Sequence, residues 1–442
     1  MRLDPERGRT NAWCFEPDKE SDPDRLAHPN LSPPWLGSTK SSLLHSPRSS
    51  GVETPFGGLE MEMILRCCAG LDVHKKTVVA CIRRITDDGR LEEKVCTFGT
   101  TTAELVALAD WLAGPRVDQV AMESTGVYWK PVYNLLEPHF AVMLVNAQHI
   151  KKVPGRKTDV TDSQWIAQLL QHGLLRPSFV PPLPFRQLRD LTRQRSQLVR
   201  HRATACNRIQ KVLEDANIKL AGVARDILGV SGRAMLAAMI RCVEDPAELA
   251  ELARGRMRSK LPALREALRG QVRDHHRFQL RELLDQVTDL DGRIERLSAR
   301  IETTIAPYST AVERLETIPG VARLTAEVIV AEIGTDMTRF ATAGHLCSWA
   351  GMSSGNNRSA GKRKSGKTPQ GDRWLRSALV QAAWAASHTK QTILSATYRR
   401  WVRRMGRKRA LVALGHKILV LAYKLLSEET EYEERLEPEE ET

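Results

Sequence analysis

The chain has 442 residues with eight cysteines and no CxxC pair, its longest apolar run (411–423) is broken by Gly415, His416 and Lys417, and no basic-then-apolar leader opens it. These features exclude a disulfide scaffold, a zinc module and a membrane protein, and they predict a cytoplasmic, nucleoid-associated protein of two or three domains. Lys and Arg (66) exceed Asp and Glu (53) by 13, and residues 61–427 alone carry +23, a field suited to nucleic acid.

Residues 1–60 hold eight of the 22 prolines and eight serines with no sustained periodicity, which predicts a disordered tail through residue 62. Met61 and Met63 stand just before the first strand-like run and mark an alternative start. From 63 to 180, strands and helices interleave. Ala69–Val73 and Thr77–Arg83 read as two strands, Thr102–Leu112 as a helix, Val117–Met122 and Ala141–Val145 as buried strands, and Ser163–Leu170 as a helix ending at Gly173. The expected fold there is α/β on a mixed sheet.

Residues 185–310 read as all-helical. Leu188, Leu191, Leu198, Ala205, Ile209 and Val212 form one 3-4 seam, with Arg195 and Arg202 in its gaps, and Leu283, Val287, Leu290, Ile294, Leu297 and Ile301 form another. Such seams fit two helices packed together in one chain or a contact between protomers. The third region, 311–427, opens with Ile318-Pro-Gly-Val-Ala and Leu324-Thr-Ala-Glu-Val-Ile, a helix-hairpin-helix-like pattern in which Gly320 would bring backbone N–H groups to a phosphate. A Gly, Ser, Lys and Arg-rich stretch, Ser353–Asp372, precedes a helix from Arg373 to about Ser387. Residues 428–442 carry nine Glu and one Arg, an expected acidic, disordered tail.

Four carboxylates stand where a nuclease needs them. Asp72 ends the first strand in Gly70-Leu-Asp-Val-His-Lys75, and Glu123 ends another in Ala121-Met-Glu-Ser-Thr-Gly-Val-Tyr-Trp129. Asp159 and Asp162, three apart in Lys157-Thr-Asp-Val-Thr-Asp-Ser163, point from one face of a helix start. Oxygen donors of this kind suit Mg²⁺ or Mn²⁺, and paired metals stabilise the entering and leaving oxygens of a phosphoryl transfer. Each acid alone is more often a cap or a dipole partner. As an ordered set they match a ribonuclease-H/RuvC-type arrangement, in which Lys75, Lys76, Lys151, Lys152, Arg156 and Lys157 would meet phosphates.

These three motifs resemble those of DEDD-type transposases of the insertion-sequence one-ten family, one-one-one-one subgroup. The resemblance spans about residues 63–427. It includes a second signature, Cys347-Ser-Trp-Ala-Gly351, then Gly355-Asn-Asn-Arg-Ser359-Ala-Gly-Lys-Arg-Lys-Ser-Gly-Lys367 and Trp374-Leu-Arg376. Ser353-Ser354 departs from the family's usual Pro, and Arg358 from its frequent acid. The resemblance implies a RuvC-like domain acting with a serine of a C-terminal transposase domain, which forms a covalent phosphoserine link to DNA. It also implies a structured guide RNA in some members, and a homo-oligomer, dimer or tetramer.

By motif register the nucleophile is Ser359, with Ser353, Ser354 and Ser365 in the same stretch. Lys362, Arg363, Lys364 and Lys367 would neutralise the phosphodiester. Two other readings stay open on the residues: a RuvC-like junction endonuclease using metal-activated water, and a non-catalytic nucleic-acid-binding protein.

Overall fold

The computed structural model describes residues 64–124, 126–150, 161–355, 357–359, 362–365 and 368–434. Asp159, Lys151, Lys152, Arg156, Lys157 and Lys367, and the N-terminal tail through residue 62, lie outside the described residues. The chain divides at Val180/Pro181 into two compact units.

The first unit is built on a five-stranded mixed sheet of order β3-β2-β1-β4-β5. Strands β1 (Cys67–Val73), β2 (Thr77–Ile85) and β3 (Leu91–Gly99) form an antiparallel meander. β4 (Gln119–Glu123) and β5 (Ala141–Val145) run parallel to β1. α1 (Thr102–Ala113) joins β3 to β4 and α2 (Trp129–Leu136) joins β4 to β5, followed by α3 (Ala147–Ile150) and α4 (Asp162–Gln171). Thr101 starts α1 by accepting from Glu104 N, while the Glu104 carboxylate accepts from Gly99 N (3.0 Å).

Because side chains alternate along a strand, β1 feeds two cores. Cys67, Ala69, Leu71 and Val73 join Leu105, Leu108, Leu112, Val132 and Leu136 of α1 and α2. Cys68, with Ala121 of β4, packs on the opposite face with Trp165, Ile166 and Leu169 of α4. The expected mixed α/β sheet is present. It gains a strand, β3, and a helix, α2, that the sequence pattern did not signal. β3 is an edge strand carrying Glu92, Glu93 and Lys94, charges that discourage further strand pairing.

The second unit, from Pro181, is helical. α5 (Leu183–Asp215) runs for 33 residues, followed by α6 (Leu220–Val223), α7 (Val230–Ile240), α8 (Pro246–Glu251), α9 (Leu261–Ala267) and the 32-residue α10 (Asp274–Ile305). α5 and α10 pack on each other within the chain, so this seam is internal. Its arginine gaps are filled by ion pairs: Arg195 with Glu327 (2.7 Å) and Arg202 with Asp291.

Helices α11 (Ser309–Glu316), α12 (Arg323–Ile333) and α13 (Ala343–Trp349) follow, then an antiparallel pair β6 (Asn357–Ser359) and β7 (Lys362–Ser365), and α14 (Arg373–His388), α15 (Ile393–Met405) and α16 (Arg407–Glu428). By length and composition α16 matches a membrane-crossing helix, the one such helix among the described residues, yet Leu414, Ile418, Leu419 and Ala422 are fully buried in this unit. Residues 429–434 are not free of it. Arg314 pairs with Glu429 (3.1 Å), Tyr432 N donates to Thr317 Oγ1 (2.9 Å), and Ile393 N donates to Glu434. The first carboxylates after residue 428 find donors on α11 and at the start of α15.

Candidate active site

Asp72 pairs with Val79 across to β2, and Glu123 with Val145 across to β5. Between β1 and β4 the last paired rung is Leu71↔Met122, so both acids lie one residue beyond it. Equal register on adjacent parallel strands puts the two side chains on one face, with backbones about 5 Å apart. That face is the one covered by α4.

The approach of α4 is set by a glycine. A Cβ on Gly70 would stand 2.9 Å from Ala167 Cα and closer still to Ala167 N and Ser163 O, so only glycine lets the helix backbone lie on the strand. One pair of residues earlier, Cys68 Sγ donates to Ala167 O (3.5 Å). Two strand residues rise about 6.6 Å, close to one helical turn of about 5.4 Å, so each step along β1 moves about a turn back along α4. Asp72 is thereby level with the first residues of α4, where Asp162 stands.

Thr161 closes that helix start: its N–H and hydroxyl both donate to Gln164 Oε1 (3.1 and 2.8 Å). Gln164 in turn donates to Glu93 on β3 (3.2 Å), and Arg83 of β2 donates to Gln171 (2.9 Å) at the helix end. Asp72 and Glu123 thus lie side by side at one end of the sheet, and Asp162 stands at the start of the helix that covers this face. Their donor set is all carboxylate oxygen, which fits Mg²⁺ or Mn²⁺. Lys75 and Lys76 stand exposed in the turn after Asp72.

In the other unit, α13 ends in a Schellman motif. Met352 N donates to Cys347 O (2.9 Å), Gly351 N donates to Ser348 O (3.1 Å), and Gly351 takes φ +67°. The Cys347–Gly351 signature is a helix stop, and it launches the segment that carries Ser359. There Ser359 pairs with Lys362, and Arg358 with Arg363, across β6 and β7; Lys364 lies on the same β7 strand. Asp372 ends the segment by accepting from Trp374 N (2.8 Å) and Leu375 N (2.9 Å) at the start of α14. Gly320 turns the chain between α11 and α12 with φ +88°, and a Cβ there would run into Ala382 and Ala386 of α14. That packing requires the glycine.

A family model described as a transposase of the DEDD IS110 type matches residues 69–218, and one described as the transposase IS116/IS110/IS902 family matches residues 312–399. The chain belongs to the IS110 family of transposases. It is 27% identical over 321 residues to a "Probable family 20 transposase" of Pseudomonas aeruginosa, covering 71% of this chain and 85% of that protein. It is 25% identical over 332 residues to the "Transposase for insertion sequence element IS1111A" of Coxiella burnetii, covering 73% of this chain and 81% of that one.

One neighbour of the transposase's carboxylates went unread in the sequence. His74 Nε2 lies 3.0 Å from Asp72 Oδ2, with the His74 ring more than half exposed. The signal was the i, i+2 spacing that puts Asp72 and His74 on one strand face. Two buried thiols of the same unit, Cys68 and Cys81, are poor nucleophiles, since burial pushes both up to about 12.

A second ligand-like cluster in the transposase, Asp215, His275 and His276, has a structural use. His276 accepts from Arg273 N through Nδ1 (3.2 Å) at the start of α10, and its Nε2 meets Asp215 (2.7 Å). Both ring nitrogens are therefore engaged in holding a helix start.

Proposed function

We propose that this transposase cuts and exchanges DNA strands through Asp72, Glu123, Asp159, Asp162 and Ser359. The observation that carries the reading is the placement of Asp72 and Glu123 side by side at one end of a sheet ordered 3-2-1-4-5, on the face that α4 covers. That strand order, antiparallel on one side of β1 and parallel on the other, supports a RuvC/ribonuclease-H-type fold for residues 64–180.

The four carboxylates would hold Mg²⁺ or Mn²⁺, which when bound supplies Lewis-acid stabilisation of the phosphoryl oxygens. The Ser359 hydroxyl oxygen forms a bond to phosphorus, the bridging P–O bond of the DNA breaks, and the serine proton ends on the departing DNA hydroxyl. The phosphoserine link keeps the phosphodiester's bond count, so a hydroxyl of another strand reseals the DNA by the reverse step. Lys75, Lys151, Lys152, Arg156, Lys157, Lys362, Arg363, Lys364 and Lys367 hold backbone phosphates. Gly320 contributes a backbone N–H to a phosphate as part of a helix-hairpin-helix-like turn. The reading includes a structured guide RNA. It also includes a homo-oligomer, dimer or tetramer, because exchange between two duplexes needs several active sites, and it assigns the protein to the nucleoid.

The test is the covalent adduct on an end-labelled DNA, followed by peptide mapping. Wild type gives an adduct at Ser359. Ser359→Ala gives none while binding DNA as wild type does, and Asp72→Ala, Glu123→Ala, Asp159→Ala and Asp162→Ala give none while keeping the fold. Adduct in Ser359→Ala would move the nucleophile elsewhere. Cleavage by wild type without any adduct would assign the reaction to water, as in a junction endonuclease.

A further inference from the structure

The segment between Gly351 and Gly371 begins and ends at one crossing. A Cβ on Gly351 would stand 2.7 Å from Gly371 N and 2.8 Å from Pro369 O, and one on Gly371 would run into Ala350 and Gly351 backbone. Both glycines are needed for the two chain strands to touch. The crossing is then tied down from the side by two arginines of α5, one helical turn apart.

Arg189 lies over the Trp349 ring, 5.7 Å from its centroid, and so reaches the residue two before Gly351. Arg193 lies 2.8 Å from Asp372, the residue after Gly371. Glu332, on α12 and with no exposed surface, joins the two. It accepts from Arg193 at both carboxylate oxygens (2.7 and 2.7 Å), and Arg189 Nε lies 3.0 Å from it. Arg189 also donates to Ala331 O (3.2 Å).

A buried carboxylate between two guanidiniums is a poor way to stabilise a fold, because desolvation offsets the attraction. Its geometric result here is specific: the start and the end of one segment are fixed to the same two side chains. A planar guanidinium fork does this where a flexible ammonium would not.

We propose that Arg189, Arg193, Glu332 and Asp372 are positioning residues that clamp the neck of the segment carrying Ser359, so that the serine is delivered in one orientation. The proposal rests on the assignment of Ser359 as nucleophile. None of the four touches DNA in this reading. They act by holding the crossing at Gly351 and Gly371.

Asp372→Asn is the informative variant. An amide oxygen still accepts from Trp374 and Leu375 N–H, so α14 keeps its cap, while the charge and the acceptor oxygen facing Arg193 are both lost. Arg193→Lys keeps the charge and loses the fork. Two measurements on the full chain decide the matter: hydrogen exchange of peptides within 352–371, and the rate of adduct formation on end-labelled DNA beside the DNA Kd.

Both variants should speed exchange of the 352–371 peptides while α7 and the 205–215 end of α5 exchange as in wild type. Adduct formation should slow by about tenfold or more, as even a partial misplacement of a reacting group does, with Kd within about threefold. Unchanged exchange in Asp372→Asn overturns the clamp, whatever the rate does. Faster exchange with a wild-type rate overturns its role in delivering the serine. If Arg193→Lys fails to fold, Asp372→Asn decides alone. The exchange result needs no catalysis, so it stands apart from the nucleophile assignment, which fails only if Ser359→Ala still forms adduct.

Discussion

Gly70 offers the sharpest test of how the carboxylate site is built. Gly70→Ala places a methyl 2.9 Å from Ala167 Cα and closer still to two backbone atoms of α4, none of which can rotate away. Ordinary carbon contacts begin near 3.5 Å, so α4 must retreat by about 1 Å, with overpacking that costs about 1–3 kcal/mol. For a unit of this size that is a fall in Tm of about 4–12 °C. The larger effect falls on chemistry. Asp162 rides on the first turn of α4, and a displacement of about 1 Å in a reacting constellation lowers rates about 100-fold. Gly114→Ala is the control in the same unit, since its nearest neighbour would be Trp111 O at 3.8 Å. The assay is adduct formation on labelled DNA well below the variant's own Tm, beside thermal melting of both variants. A wild-type Tm and rate in Gly70→Ala would refute the close approach. A lowered Tm with an unchanged rate would refute α4 as the carrier of a required carboxylate.

The buried thiols give a second test. Burial pushes Cys68 and Cys81 up to about 12 and Cys347 up to about 11, whereas Cys242 is exposed, so iodoacetamide at pH 8 should modify Cys242 well before these three in the native chain. Alkylation of Cys68 within tenfold of the Cys242 rate would contradict the packing of α4. A third concerns Glu332, whose carboxyl burial pushes up to about 7 against the pull of Arg193. Burial thus opposes ionisation of Glu332 in the folded state, so the contribution of this one carboxyl to stability is greatest in acid and falls as pH rises from about 4.5 to 7. Denaturant unfolding from pH 5 to 8 should show that slope in wild type and lose it in Glu332→Gln, and parallel curves would refute it.

The sequence by itself determined whatever depends on local period and on residues acting at their own position. Alternation and short apolar runs located β1, β2, β4 and β5, and 3-4 spacing located α1, α4, α5 and α10. Asp72 and Glu123 were legible as strand-end acids and Asp162 as a helix-start acid, since the end of a period is a local signal. β3 escaped because an edge strand is charged and loses its alternation, and α2 because it is short and holds Pro131 in its first turn.

Only the tertiary structure decided which partners those elements meet. The two long seams fit a partner in the same chain or in another copy, and packing chose the same chain. Gly70 reads as an ordinary strand glycine until α4 is laid on it. Glu332 and Asp372 lie 139 and 179 residues from Arg193 along the chain, and no spacing rule joins them. Glu332 even lies in an apolar helical run, where its charge looks misplaced. Hydrophobic period is written along the chain because water acts on each residue separately, whereas a buried ion pair exists only once folding has brought both charges out of water together.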